Sequence, residues 1–322
     1  MHSKFIRVVF LGIITIFLAV KPVSAQHEVG VWLGASAFLG DLGGANNIGK
    51  PFIRDIDYKE IRPLLAGFYR YNVNGFIAVR TQLYWTVLRG DDKNTDGLGP
   101  DEPGGTDDQW FREYRNLSFK SHFFEACAMV DINLRSWIDG EYSENKWAPY
   151  LTGGFGGFVF NPTTQYLGQR VALQPLGTEG QGLPGYSNKY KRIAPSLIGG
   201  GGFKWWISDR ISMSYELTYI HTFTDYIDDV STVYVDPIDV FANYDAATAQ
   251  KIVDLARRSV ELDPTQKFGF VTAPGEQRGD PTDRDQLLSM QVSFSYNLGS
   301  GFYGKNFKGG GFKRGHMQCP TW

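Results

Sequence analysis

Four ionisable residues stand at positions where strand periodicity would turn them away from an apolar face: Arg70, Arg80, Glu125 and Glu216. Each sits in a run that alternates apolar and polar side chains. Two arginines and two carboxylates enclosed together suit ion pairing, because removing one partner of a buried pair costs roughly 3–5 kcal/mol. Arg80 and Glu216 lie at similar distances from their nearest short turns, which would let them meet. The expected role is a network that fills and stiffens an interior, rather than ion or proton conduction. A second constellation, Asp92-Lys93-Asn94-Thr95-Asp96-Gly97, copies the first half of a calcium loop, with oxygen ligands at alternate residues and a glycine for the turn. Its closing acidic ligand fails: Pro103 holds that position and Glu102 falls one residue early. Calcium would go to Asp92, Asn94 and Asp96, but a solvated acidic loop is the expected reading. No nucleophile, base and orienting group share a spacing, so no enzyme and no cofactor is expected. Cys127 and Cys319 are too few for a disulfide scaffold or a cysteine-rich zinc site, and are read as separate thiols.

The elements that must position these residues are strands. Between Ser196 and Asp229, Leu197, Phe203, Trp205 and Ile207 share one parity up to the turn at Ser208-Asp209-Arg210. Ile211, Met213, Tyr215, Leu217 and Tyr219 then alternate with Ser212, Ser214, Glu216 and Thr218. A period of two over this length marks a strand with two unlike faces. Similar runs are expected near 27–40, 63–73, 76–89, 117–134 and 286–298, with a glycine-rich run at 148–160 whose parity is ambiguous. Asn72-Val73-Asn74-Gly75 predicts a hairpin turn through the positive φ that Asn-Gly supplies. The eight strands are joined by connections that alternate long and short, and the longest carries a helical stretch over Ala246–Glu261.

The N-terminal segment places these strands. His2, Lys4 and Arg7 precede a short apolar run, Val8 to Val20, and Val23-Ser24-Ala25 forms a small-residue cleavage site. This predicts a secretory signal peptide over residues 1–25, and with Gln26 rather than cysteine after the cut, no lipoprotein anchor. No later run reaches the ~18 apolar residues of a membrane helix. An exported chain with long alternating strands is either a soluble β domain or a barrel in an outer membrane. Alternation alone does not separate these. Strands longer than the 9–11 residues needed to cross lipid, and the regular asymmetry of the loops, favour an eight-stranded antiparallel transmembrane β-barrel over residues 26–299, with long external loops, short periplasmic turns and both termini periplasmic. A net charge of −2 argues against a nucleic-acid partner. Residues 300–322 form a basic, glycine-rich tail, and Lys305, Lys308, Lys313, Arg314 and Cys319 are candidates for contact with a periplasmic partner.

Several runs carry a more specific signal: Arg115-Asn116-Leu117-Ser118-Phe119-Lys120, Leu173 to Gly182 (Leu-Gln-Pro-Leu-Gly-Thr-Glu-Gly-Gln-Gly), Thr222 to Ser231 (Thr-Phe-Thr-Asp-Tyr-Ile-Asp-Asp-Val-Ser), Tyr234-Val235-Asp236-Pro237 and Gln277-Arg278-Gly279-Asp280-Pro281. Together with the Cys-Pro near the end, these resemble the PorG family of Bacteroidota outer-membrane barrels over nearly the whole mature chain. The resemblance implies a structural component of the type IX secretion system, which serves protein export and gliding motility. It implies association with the periplasmic ring of a lipoprotein and its partner beneath the membrane, and a role other than the translocon pore. The alternative is a stand-alone barrel acting through its external loops in adhesion or envelope stability.

Overall fold

The structure is a computed structural model that describes residues 26–42, 58–94, 107–135, 146–208 and 210–298. The expected signal peptide, the basic tail with Lys305, Lys308, Lys313, Arg314 and Cys319, and Asp96 lie outside the described residues. Ten strands follow in chain order: β1 (Gln26–Leu39), β2 (Arg62–Asn72), β3 (Ile77–Asp91), β4 (Ser118–Asn133), β5 (Trp147–Val159), β6 (Thr163–Tyr166), β7 (Gln169–Ala172), β8 (Ile193–Trp206), β9 (Ile211–Thr222) and β10 (Gln286–Asn297). Eight of them, all but β6 and β7, pair with their neighbours in antiparallel register, and β1 pairs with β10 from Glu28↔Asn297 to Leu39↔Gln286. The sheet is thus a closed barrel with no free edge. β6 and β7 form a small hairpin that joins the sheet above the barrel, where Thr163 pairs with Lys120 of β4.

The barrel is inside-out relative to a soluble domain. Leu83 is 70 % exposed and Phe155 67 %, whereas Arg80 and Glu216 are fully buried. On β3 the outward apolar positions run from Ile77 to Val87, about 33 Å along the strand and about 25 Å in height at a typical barrel tilt of ~40°. No helix among the described residues is long and apolar enough to cross a membrane. The ambiguous strand β5 resolves as Ala148, Tyr150, Thr152 and Phe158 inward, Leu151, Phe155 and Val159 outward. Glycines at both parities hid this, since they carry no hydropathy. Inward glycines let the wall bend sharply: a Cβ on Gly202 would lie 2.1 Å from the Tyr215 carbonyl oxygen.

Two of the short connections are described. Ser208 Oγ accepts from Ile211 N at 3.1 Å, closing the β8–β9 turn. The β2–β3 turn departs from expectation. Neither Asn74 nor Gly75 takes a positive φ. Instead Asn74 Oδ1 accepts from the Phe76 and Ile77 amides at 2.9 and 2.8 Å, so a side chain does the work expected of the backbone. The described parts of the long connections lie at the opposite end and build a cap. It contains α1 (Asp107–Arg115), α2 (Pro237–Asn243) and α3 (Ala246–Ala256), the last capped by Asp245 through the Ala247 and Thr248 amides. Helix α3 buries Ala249, Ile252 and Ala256 against Leu183, Val235 and Val240. The expected helix to Glu261 breaks at Arg257, whose backbone is not helical, and a 3₁₀ turn follows. Val260 consequently leaves the buried face and is 38 % exposed.

Candidate functional site

Two polar networks occupy the molecule, one inside the barrel and one in the cap above it. The lumenal network follows from register. Arg70 of β2 lies directly opposite Arg80 of β3, an arrangement of like charges that needs acids beside it. Asp131 of β4 supplies one, at 2.7 Å from Arg70 Nη2 and 3.4 Å from Arg80 Nη2. Glu216 of β9 reaches across the lumen to Arg80 at 2.8 Å and also accepts from Tyr150 and Gln291 at 2.6 and 2.8 Å. Glu28 of β1 contacts Arg70 at 3.5 Å and Lys204 of β8 at 2.5 Å. Arg80 further lies 5.3 Å from the Trp32 ring centre. The expected Arg80–Glu216 pair is therefore present, and Arg70 belongs to the same network.

Glu125 does not belong to it. It is buried, but its carboxylate accepts from the Ser196 hydroxyl and forms no ion pair among the described residues. It sits opposite Tyr84, whereas Arg80 sits opposite Met129. That four-residue offset is about 13 Å along the strand, too far for contact. Glu28, Asp131 and Lys204 complete the network from inward parity, outside the expected set of pairing candidates. At the short-turn end the lumen opens as a cavity of about 50 Å³, with Arg70, Asp131 and Lys204 in its lining and Asn72, Asn133 and Asn297 among its other residues.

The cap network gathers the specific sequence runs at one place. Arg115, which ends α1, grips Asp92 with two bonds of 2.8 Å and donates to the Arg278 and Asp41 carbonyls. Arg278 in turn pairs with Glu179 at 2.9 Å and donates to the Asp229 carbonyl at 2.6 Å. Glu179 also accepts from Ser231 N and from the Thr232 hydroxyl. Asp229 takes bonds from Thr178 and Tyr190 at 2.5 and 2.6 Å, and Asp228 receives the Leu42 and Val230 amides at 3.0 Å each. The glycines of the Leu173–Gly182 run serve this geometry. Gly177, Gly180 and Gly182 all have positive φ, and a Cβ on Gly180 would lie 2.4 Å from the Tyr186 ring.

Burial raises several aspartates of the cap. Asp229 is pushed up to about 6 by burial, against the pull of Arg278. Asp225 is pushed up to about 8 by burial, with Asp41 and Glu179 adding repulsion. Asp228 and Asp285 rise well above the ordinary range, again chiefly through burial. Of the candidate calcium ligands, Asp92 is committed to Arg115 and to the Leu117 amide at 2.9 Å, and Asn94 donates to Glu60 at 2.6 Å. Among the described residues no group of three metal-capable side chains assembles.

His122 and His221 lie on the outer wall near the long-loop rim, as their parity implies. His122 stacks on Trp85 with ring centres 6.2 Å apart, and His221 meets Phe223 edge-on. Cys127 is buried among the lumenal side chains.

No family model and no curated protein matches the chain. Among solved structures the chain is similar to Ail, the attachment invasion locus protein of Yersinia pestis, at 10 % identity, covering 85 % of this chain and 99 % of that one with a TM-score of 0.35. It is similar to Neisserial surface protein A at 8 % identity, covering 84 % and 97 % with a TM-score of 0.36. It is also similar to the outer membrane protein OprG of Pseudomonas aeruginosa, at 8 % identity, covering 86 % and 96 % with a TM-score of 0.35.

Proposed function

We propose that the chain is an outer-membrane β-barrel that serves as a structural component of the type IX secretion apparatus, with its short turns and basic tail facing a periplasmic ring. The membrane part of the reading rests on the inverted polarity of the closed barrel: an apolar outer belt about 25 Å high around a charged interior matches the hydrocarbon of an outer membrane. The lumen supports a scaffold rather than a conduit, because Trp32, Arg80, Phe123, Glu216 and Gln291 fill it. The secretion part rests on the resemblance to PorG barrels. Its most specific runs build one buried network, Arg115, Glu179, Asp229 and Arg278, as expected of residues that a family needs for a shared cap.

The test is cross-linking with mass spectrometry on native outer membranes, comparing the full chain with a version ending at Gly299. Links from Lys305, Lys308 or Lys313 to a ring lipoprotein, lost on truncation together with secretion, are the expected result. Absence of ring links, with secretion intact when the gene is deleted, overturns the reading. One observation favours a second: the cap exposes Ile238 (75 %) and Phe270 (70 %). A stand-alone barrel acting through its loops in adhesion or envelope stability would use such a surface. It would keep its activity without the tail.

A further inference from the structure

The outer wall of β3 and β4 carries a row of cations at its long-loop rim. Cross-strand register stacks Trp85↔Phe124, then Val87↔His122, then Arg89↔Lys120, all outward. The first two rows close the apolar belt and the third is cationic. Hairpin β6–β7 extends this wall. Thr163 pairs with Lys120 and donates its hydroxyl to the Lys120 carbonyl at 2.7 Å, and Arg170 donates to Thr163 Oγ1 at 3.1 Å. Arg89, Lys120 and Arg170 therefore line one face immediately above the lipid-facing belt. Arg89 is 45 % exposed in its side chain and meets Glu60 and Asp91 only at 3.6 and 3.5 Å. Lys120 forms no ion pair among the described residues, and Arg170 is exposed. On the β9–β10 wall the rim row is His221↔Gln286, with the single cation Arg284 beyond it, 5.5 Å from the Phe223 ring centre.

Depth argues for a lipid ligand. The cationic row lies two positions beyond the last apolar row, about 6.6 Å along the strand and about 5 Å in height at the usual tilt. The headgroup layer on each side of a bilayer is roughly 5–8 Å thick. The cations thus sit where lipid phosphates sit, with the Trp85–His122 stack at the boundary beneath them, the usual depth for amphipathic rings.

We propose that Arg89, Lys120 and Arg170 form a binding site for the phosphates of an anionic lipid in the leaflet next to the long loops. This rests on the membrane reading above, not on the secretion role. The test uses the full chain extracted in detergent, with native mass spectrometry of its retained lipid. The probes are lipid A, phosphatidylcholine and inorganic phosphate. Wild type should retain lipid A over phosphatidylcholine, and millimolar inorganic phosphate should not displace it. Lys120→Ala/Arg170→Ala should lower retention roughly tenfold, since each basic side chain near a lipid surface contributes appreciably. Arg284→Ala on the opposite wall should leave retention unchanged. Equal retention by the double variant, equal loss in Arg284→Ala, or displacement by inorganic phosphate each overturns the site. Failure of the membrane reading looks different: wild type would not fold into phosphatidylcholine vesicles, as followed by its gel shift.

Discussion

The lumen and the cap solve the same problem, burying charge, in opposite ways. In the lumen three cations, Arg70, Arg80 and Lys204, meet three acids, Glu28, Asp131 and Glu216, between neighbouring strands and across the barrel interior. In the cap, Arg115 and Arg278 face a larger set of carboxylates, several of which are held instead by amides and hydroxyls. A balanced network in a closed sheet stiffens it. An acid-rich network among loops ties distant segments together and leaves their strength to protonation.

The largest test of this contrast is Arg80→Ala, which removes the cation paired with buried Glu216 and leaves Asp131 to Arg70. A loss of roughly 3–5 kcal/mol is expected, read as a lower temperature for the folded-to-unfolded shift on heated gels. An unchanged transition would remove the lumenal pair from the account of barrel stability. Arg278→Met should cost the cap roughly 3 kcal/mol by leaving Glu179 unpaired, with cleavage between Thr224 and Asp285 by added protease, while the barrel shift stays where it was. If both move together, cap and barrel are one cooperative unit and the contrast fails.

The third test is pH. Asp229 and Asp225 hold their protons more tightly in the folded cap than the ordinary carboxylate value near 4 allows. Their contribution is complete below about pH 4 and falls as pH rises through the folded values, about 6 for Asp229 and about 8 for Asp225. Amide exchange in the cap should therefore quicken between pH 5 and pH 9 beyond the intrinsic base-catalysed increase, with the strands of the same molecule as reference. Slower corrected exchange at high pH would mean that deprotonation of these aspartates stabilises the cap. The smallest effect is expected from Tyr190→Phe, which removes one hydrogen bond to Asp229 and should cost the cap about 1 kcal/mol. The ring stack of Tyr190 on Tyr226, at 4.6 Å, would remain.

The lumen was largely legible in the chain, because a period of two assigns each residue to a face and similar distances from the turns bring Arg80 to Glu216. Parity does not give height, which is why Glu125 was grouped with partners it never reaches. The cap was legible only as motifs. Glu179 meets Arg278 across 99 residues of sequence separation, and no periodicity links them. Helix α1 and the β6–β7 hairpin were missed for a related reason: short elements within polar loops take their shape from the cap around them.

The pairing of β1 with β10 has a consequence for assembly. Every other wall contact joins barrel strands that follow one another along the chain, β5 and β8 across the β6–β7 hairpin, so most of the sheet can form as the chain emerges. The seam needs residues 28 and 297 side by side, and until the last strand arrives both β1 and β9 present unpaired backbone. In lipid such an edge is costly, so the half-made sheet has no stable resting place in a bilayer. Insertion and seam closure must then be coupled, and the final strand acts as the latch for the whole wall.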